Sequence, residues 1–370
     1  MSEIDNPTFF DQLVVGKYSL FRVTGIPPIS FNEVIEFQSG KKFFYKVQES
    51  SDLSKSHNSI VSKFLNNIPL NNSAKAFRPQ TSYLNFLEPH RKNYNFLRLD
   101  IKNFFHSISE DLLKESFDSY FKAQIVNTKT RSLLVDSFIN LVTVNLPRDS
   151  KNKEFLEKKI LPIGFSTSPV ISNIIFRKFD ILIQMLCSRY NIEYTRYADD
   201  LLFSSPKNLN TIQSAFFHNE VCFLLSSGGF KINNSKILSA KKLISIKGYT
   251  IDGSEDEKRL GTIRISNKKL KIIEKLLHEK NKGTDNVTIM KKVFKKNIQK
   301  MKFKFEPKKS FLEKYCYDQI INKALGYRSF LISLIKFHNL YECMDEDSIK
   351  KYNSLIKELE KLTQTISITN

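Results

Sequence analysis

The sequence predicts an α/β fold of roughly two or three subdomains. Three observations carry that prediction. Two runs rich in aromatic and branched residues, Tyr194 to Ala198 and Leu201 to Phe203, flank Asp199-Asp200 and suit a β-hairpin with both carboxylates at its turn. A third apolar run, Phe96 to Leu99, reads as a strand that delivers Asp100 at its end. Around these strands, residues 57–70, 111–145, 170–190, 268–309 and 311–362 place apolar side chains at helical spacing.

Composition narrows the function class. Hydrophobic content of 41% is ample for a globular protein, and the formal net charge of +20 is the strongest compositional fact. Self-repulsion of that size is tolerated when the partner is a polyanion, so nucleic acid leads and an anionic membrane surface follows. The four cysteines, Cys187, Cys222, Cys316 and Cys343, lack C-x-x-C spacing, which argues against a zinc site or a disulfide framework. They read as buried or free thiols in a reducing cytoplasm. With no leader-like N-terminus and no run of 18 apolar residues, the expectation is a soluble cytoplasmic protein with no membrane partner.

Taken in order, residues 1 to about 40 mix helix-compatible and turn residues, with a break at Gly25-Ile26-Pro27-Pro28. Lys41 to Val47 alternates basic and aromatic residues, as a strand does with one wet face. It suits an edge strand guarded by lysine as well as a phosphate-contacting one. Residues 57–70 read as a packed helix through Ile60, Val61, Phe64, Leu65 and Ile68. A loop at 76–82 leads to a short helix ending near His90, which on its own reads as a structural histidine. After Asp100 the chain turns through Phe104-Phe105, and Ser109 is placed to cap a helix over 110–122. Residues 111–145 read as helices with a polar break near 127–131. Leu161 to Asn173 is a small-residue loop opening onto the 170–190 helix, where Gly164 permits close backbone approach. Ser166, Thr167 and Ser168 suit either a capped helix start or an anion site.

The Asp199-Asp200 pair poses an electrostatic question. Two carboxylates about 4 Å apart repel by roughly 4 kcal/mol at an effective dielectric of 20. An exposed turn in water is the ordinary solution. A proton or a divalent cation also serves, and Asp100 then offers a third oxygen ligand for a hard cation.

Past Asp252 the composition shifts: residues 268–309 carry 15 Lys, no Arg and 4 acidic residues. Leu270, Ile272, Ile273, Leu276, Leu277, Val293, Phe294 and Ile298 predict amphipathic helices with lysine-rich outer faces, solvated or set against a phosphate backbone. Residues 311–362 read as further helices, with Leu325 to Phe330 suiting a structured-RNA contact or core packing.

Four blocks in order then resemble a known family. Asp100-x-x-x-Phe104-Phe105, Leu161-Pro162-x-Gly164-x-x-Thr167-Ser168-Pro169-x-x-Ser172-Asn173 and Tyr197-Ala198-Asp199-Asp200 resemble palm motifs A, B and C of reverse transcriptases. Gly228-Gly229-Phe230-Lys231-Ile232-Asn233-x-x-Lys236 resembles motif D, Ile246-Lys247-Gly248-Tyr249 sits where the primer grip belongs, and Ala76 to His90 resembles the fingers segment before motif A. The likeness covers about residues 40–255 and is nearest to bacterial retron-type enzymes.

The resemblance implies a right-hand polymerase: fingers in 1–95, palm with interspersed fingers helices in 96–255, and a basic helical thumb in 256–370. It implies catalytic Asp100, Asp199 and Asp200, a metal set of these with Ile101, and two Mg²⁺ ions. Asp100 and Asp199 are the implied bridging ligands, with Asp200 farther from the metal. Phe105 is implied beneath the nucleotide sugar and Phe104 in the palm core. Gly164 joins the nucleotide site, Lys236 the pyrophosphate, and Lys247, Gly248 and Tyr249 the primer grip. The implied partners are dNTPs, a cognate structured non-coding RNA with its cDNA, and an effector or toxin protein encoded nearby. The implied product is a branched RNA–DNA hybrid primed from an RNA 2′-hydroxyl, in an anti-phage retron.

Three positions depart from the family pattern. Ile163 stands where a glutamine usually precedes the motif B glycine. Thr81 replaces the fingers arginine, leaving Arg78, Lys42 or Lys46 to hold the triphosphate. Ser245 to Tyr249 occupies the place of a valine-threonine-glycine triplet common in retron enzymes. These departures suit another defence-associated reverse transcriptase, with untemplated or protein-primed synthesis. A catalytically silent RNA-binding scaffold is the remaining alternative, against which the three aspartates argue.

Overall fold

The computed structural model describes residues 3–256, 259–298 and 307–364. Helix and sheet are mixed, as an α/β fold requires, and the chain divides into two compact units. One comprises 1–86 and 96–239, the other 87–95 and 240–370. Strands Leu243–Ile246, Tyr249–Asp252 and Thr262–Ile265 pair with one another in a separate antiparallel sheet within the second unit.

The first unit is built on a four-stranded sheet in the order Leu238–Lys241, Asn95–Asp100, Asp200–Ser205, Glu193–Tyr197. The last two form the predicted hairpin, with Tyr197 opposite Asp200 and Tyr194 opposite Phe203. That register makes the turn Ala198-Asp199, with Ala198 at φ +57°, so only the first aspartate is in the turn. Two-residue turns with positive φ match the twist of the strands they join. Asp200 is instead the first residue of its strand, tolerated there because an arginine on the neighbouring strand meets it.

Helix Ser168–Arg189 starts two residues before the expected 170. Helix Glu110–Phe117 is capped by Ser109, whose Oγ accepts the Leu112 amide at 3.2 Å, and gives way to a 3-10 turn at Asp118–Tyr120 short of the expected 122. The polar break expected within 111–145 is a small hairpin of Ile125–Asn127 and Ser132–Leu133, followed by helix Leu134–Val142. The helix expected over 57–70 is Asp52–Lys63, drawn back to Ser51, whose Oγ accepts the Ser54 amide. The abundant phenylalanines account for much of the interior. Phe104 packs edge-to-face on Phe176 and face-to-face on Phe230, and Phe64, Phe117 and Phe138 form a second cluster. Such ring pairs add directional attraction to the area they bury.

In the second unit, helices Asn267–Asn281, Asn286–Lys292, Lys309–Tyr341 and Glu346–Gln364 accompany the three-stranded sheet. Buried Arg91 ties this unit's distant segments together, donating to the carbonyls of Gly261 (2.7 Å), Tyr341 (2.8 Å) and Glu342 (2.9 Å). Two of these acceptors close the C-terminal end of the long helix, where carbonyls lack intrahelical donors. The lysine-rich helices are not uniformly basic outside. Lys269 lies over the Phe330 ring (3.3 Å) and Lys280 over Tyr317 (5.3 Å), and burial lowers the pKa of both. Residues 299–306 of that stretch lie outside the described residues. Arg328, in the segment with the RNA-contact expectation, is salt-bridged to Glu360. Among the described residues no helix is long and apolar enough to cross a membrane.

Candidate active site

Asp100 and Asp199 are brought together by main-chain bonds. The Ile101 amide donates to the Asp199 carbonyl at 2.8 Å, so the end of one strand is stitched to the hairpin turn. On the other side the Asn233 amide donates to the Asp100 carbonyl at 2.7 Å and the Lys102 amide to the Lys231 carbonyl at 2.8 Å. The 3-10 turn Asn234–Lys236 then returns Lys236 to Asp100, with Nζ 2.8 and 2.9 Å from the two carboxylate oxygens.

The three carboxylates have different surroundings. Asp199 faces Lys42, with Nζ 3.9 Å from Oδ2. Burial and then the Asp200 charge raise the Asp199 carboxyl above the ordinary range, while Lys42 works against the rise. Asp200 is fully buried and accepts from Arg98 Nε at 3.0 Å and from Arg98 Nη2. Burial depresses the Arg98 guanidinium more than any single neighbour raises it, but the charge and hydrogen bond of Asp200, with Tyr83 and Asp100, together outweigh it and the pKa is raised. Arg98 Nη2 also lies 3.8 Å from Asp100 Oδ2, so one guanidinium spans two of the acids.

A cavity of about 590 Å³ opens in front of Asp100 and Asp199. Ile101 and Phe105 line it as well, while Asp200 is turned away into its pair with Arg98. Among the described residues no group of three or more His, Cys, Asp or Glu is arranged to hold a metal ion. Six lysines dominate the wall: Lys41, Lys42, Lys102, Lys151, Lys153 and Lys236. Lys151 and Lys153 belong to a segment that attracts no attention in the sequence, and the signal that would have found it is its Lys-Asn-Lys run. The segment is anchored by Asn152 Nδ2 donating to Tyr45 Oη (3.0 Å), the Lys151 amide to Glu36 (2.9 Å), and Lys102 to Glu154 (3.0 Å).

Lys46 and Arg78 do not line the cavity. Lys46 pairs with Glu49 at 2.8 Å, so the hairpin turns Lys42 rather than Lys46 toward the acids. Arg78 donates to the Asn71 and Ala74 carbonyls and braces its own loop. Gly164 is a backbone-approach position: at φ +119° a Cβ would lie 2.6 Å from the Tyr45 carbonyl oxygen. The adjacent Ile163 carbonyl accepts the Tyr45 amide at 2.8 Å, and the Ile163 side chain lines the cavity. Lys247 and Gly248, at φ +45° and +93°, form the turn between two strands of the second unit, where buried Tyr249 stacks on Phe330 at 4.3 Å.

Arg196 is the support that sequence reading passes over, because a lone arginine in a strand reads as exposed. Its side chain is fully buried, paired with Asp180 through Nε (2.9 Å) and Nη2 (2.8 Å), and packed on the Phe176 ring. Nη1 donates to the Ala198 carbonyl at 3.3 Å, inside the turn that carries Asp199.

Known proteins share parts of this sequence. The chain is 29% identical to the retron Ec83 reverse transcriptase of Escherichia coli over 175 residues, 47% of this chain and 52% of that one. It is 29% identical to the retron Ec73 reverse transcriptase of the same organism over 151 residues, 40% and 44% of the two chains. The matched region thus spans about half the length of these curated relatives. A solved telomerase structure from Candida albicans superposes with a TM-score of 0.46 at 11% identity, covering 98% of this chain and 67% of that one. Residues 47–251, more than half of the sequence, match the family model described as reverse transcriptase (RNA-dependent DNA polymerase), and the chain belongs to that family.

Proposed function

We propose that the protein is an RNA-directed DNA polymerase that copies a cognate structured non-coding RNA. One observation carries the reading: Asp100 and Asp199, far apart in sequence, line a single cavity walled by six lysines. Carboxylate oxygens are the donors that Mg²⁺ prefers, and their mutual repulsion is what a divalent cation relieves. The residues present therefore fit two such ions, held by Asp100 and Asp199 with the main chain at Ile101. When bound, the ions supply charge stabilisation for the attacking 3′-hydroxyl and the leaving pyrophosphate. Asp200 is assigned a supporting role through Arg98 rather than a direct ligand role.

The chain's own groups do the rest. Lys41, Lys42, Lys151 and Lys153 bind the triphosphate, taking the place of a fingers arginine. Lys236, now on Asp100, is set to follow charge onto the pyrophosphate. Phe105 lies against the sugar and excludes a 2′-hydroxyl. Lys247, Gly248 and Tyr249 contact the primer, and the lysine-rich helices grip the duplex. The likeness to retron enzymes extends the proposal to a branched RNA–DNA product, a cytoplasmic anti-phage role and an effector protein encoded nearby.

The experiment is DNA synthesis by the purified chain with dNTPs, Mg²⁺ and the structured RNA encoded beside its gene, against Asp199→Ala. Loss of synthesis in the variant is expected, and undiminished synthesis sinks the enzyme reading. Product that forms regardless of RNA sequence favours untemplated synthesis, the reading that Ile163 in the cavity wall supports.

A further inference from the structure

The segment that carries Lys151 and Lys153 has no helix or strand from 146 to 158, so no regular element fixes where its lysines stand. Main-chain bonds close its base, the Leu146 amide donating to the Lys158 carbonyl (3.0 Å) and the Glu157 amide to the Leu146 carbonyl (2.9 Å). Its tip is held from the side by the hairpin of Val34–Ser39 and Lys42–Val47. Glu36 and Tyr45 are directly opposite one another in that hairpin and so share a face. Glu36 Oε1 accepts from Ser150 Oγ at 2.7 Å, Glu36 Oε2 from the Lys151 amide at 2.9 Å, and Tyr45 Oη from Asn152 Nδ2 at 3.0 Å. Ser150 Oγ in turn accepts the Asn152 amide at 3.1 Å. Tyr45, Ser150 and Asn152 are buried.

The anchor on the other side is weaker. Glu154 Oε1 meets Lys102 Nζ (3.0 Å) and Asn103 Nδ2 (2.8 Å), but Lys102 and Glu154 are exposed, and exposed ion pairs contribute little. Glu36 offers a charged acceptor to two donors at once, and charge-assisted bonds are the stronger kind. Its charge is nevertheless the wrong one for the neighbourhood of a triphosphate. Glu36 is not among the residues that line the cavity, whereas Lys151, whose amide it holds, and Lys153 are.

We infer that Glu36 is a positioning residue for nucleotide binding: it pins the tip of the 146–158 segment to the hairpin that carries Lys42, so that Lys151 and Lys153 stand beside Lys41 and Lys42 before the triphosphate arrives. This rests on the polymerase reading. Lysines held in place beforehand lose less freedom on binding, and more of their attraction appears as affinity. Two roles for Glu36 predict opposite signs. As a bystander charge it repels the triphosphate, and its removal tightens nucleotide binding. As the pin it keeps two cations in place, and its removal weakens binding.

The test uses the full chain on a poly(rA)·oligo(dT) duplex, with dTTP binding measured in Ca²⁺ in place of Mg²⁺ so that nothing turns over. Glu36→Ala is expected to weaken dTTP about fivefold, the order of the cost of immobilising a long side chain on binding. Glu36→Gln removes the same charge but keeps the shape and one acceptor oxygen, and is expected to fall between Glu36→Ala and wild type. With Mg²⁺ both variants should raise KM and leave kcat within about twofold, as lost uniform binding does. In a Lys151→Ala/Lys153→Ala background Glu36→Ala should weaken dTTP no further, because the side chains it positions are gone. Unchanged or tighter dTTP binding in either Glu36 variant, or a loss that adds in full to that of the double-lysine variant, overturns the inference. If Glu36→Ala does not fold, Glu36→Gln decides by the same sign. A wild type that binds dTTP in Ca²⁺ yet makes no DNA with Mg²⁺ overturns the polymerase reading and leaves the pin standing, and a wild type that binds no dTTP overturns both.

Discussion

Arg196 and Asp180 form a salt bridge with both side chains fully buried, and through Arg196 Nη1 that pair reaches the Ala198 carbonyl next to Asp199. Tyr194 adds a third bond, its hydroxyl donating to Asp180 Oδ1 at 2.8 Å. The helix Ser168–Arg189 thereby holds the hairpin turn from behind with charge-assisted bonds, which are shorter and stronger than neutral ones. Asp180→Asn should cost about 3–5 kcal/mol in chemical denaturation, because it leaves a buried guanidinium without its counter-charge. The double variant Asp180→Leu with Arg196→Met should recover most of that stability, since replacing both charges removes the desolvation penalty. DNA synthesis should not return with it, because the turn has lost its brace.

The raised Asp199 carboxyl sets a pH signature. Its folded-state pKa lies above its unfolded value, so the folded chain favours the protonated form. The stability it contributes is present below the ordinary carboxylate range and is lost as pH rises through the raised folded value. Asp199→Asn should therefore have a higher urea midpoint than wild type at pH 7, with the gap closing as pH falls below that range, while DNA synthesis is abolished. Millimolar Mg²⁺ should raise the wild-type melting temperature by mass action and leave that of Asp100→Asn/Asp199→Asn unmoved. Equal response of the two proteins to Mg²⁺ would contradict the assignment of these carboxylates as ligands.

Lys151 and Lys153 are exposed and line the cavity beside Lys41 and Lys42. Converting both to alanine should raise KM for dNTPs about tenfold at low salt and leave kcat within about twofold, the pattern of lost uniform binding. The difference should shrink as ionic strength rises and the Debye length falls from about 10 Å at 0.1 M to about 3 Å at 1 M. A fall in kcat with KM unchanged would place these lysines elsewhere in the reaction.

The basic helices of the second unit predict steep salt dependence of RNA binding. With roughly four or more phosphates contacted, a plot of log K against log salt should have a slope of about −3 or steeper. Lys275→Ala/Lys291→Ala should flatten it, whereas Lys269→Ala, whose ammonium lies over the Phe330 ring, should act chiefly on stability. A slope near zero removes the thumb assignment.

Much of the site is legible in the amino-acid sequence because its signals are local. A strand that ends in Asp100, a hairpin around Asp199 and a glycine ahead of a helix start are properties of a few adjacent residues each. Lys151 and Lys153 escape such a reading because a loop with no periodic pattern gives no clue to what it will cover. Lys46 reads as a site residue because alternation along a strand does not say which lysine turns toward the acids.

Strand, turn and cap preferences act over a few residues, so the sequence suffices for the α/β class, the order of the three aspartates and the small-residue loop between them. How the three acids divide their roles is a property of the folded chain. Asp199 lies in the turn facing Lys42 and the cavity, whereas Asp200 enters the strand and is taken by Arg98, 102 residues away in sequence. Folding also seals Arg196 against Asp180 and leaves His106 Nε2 buried with no hydrogen-bond partner among the described residues. The reason is the same in each case: burial and partner charges are set by segments that meet only when the chain has folded.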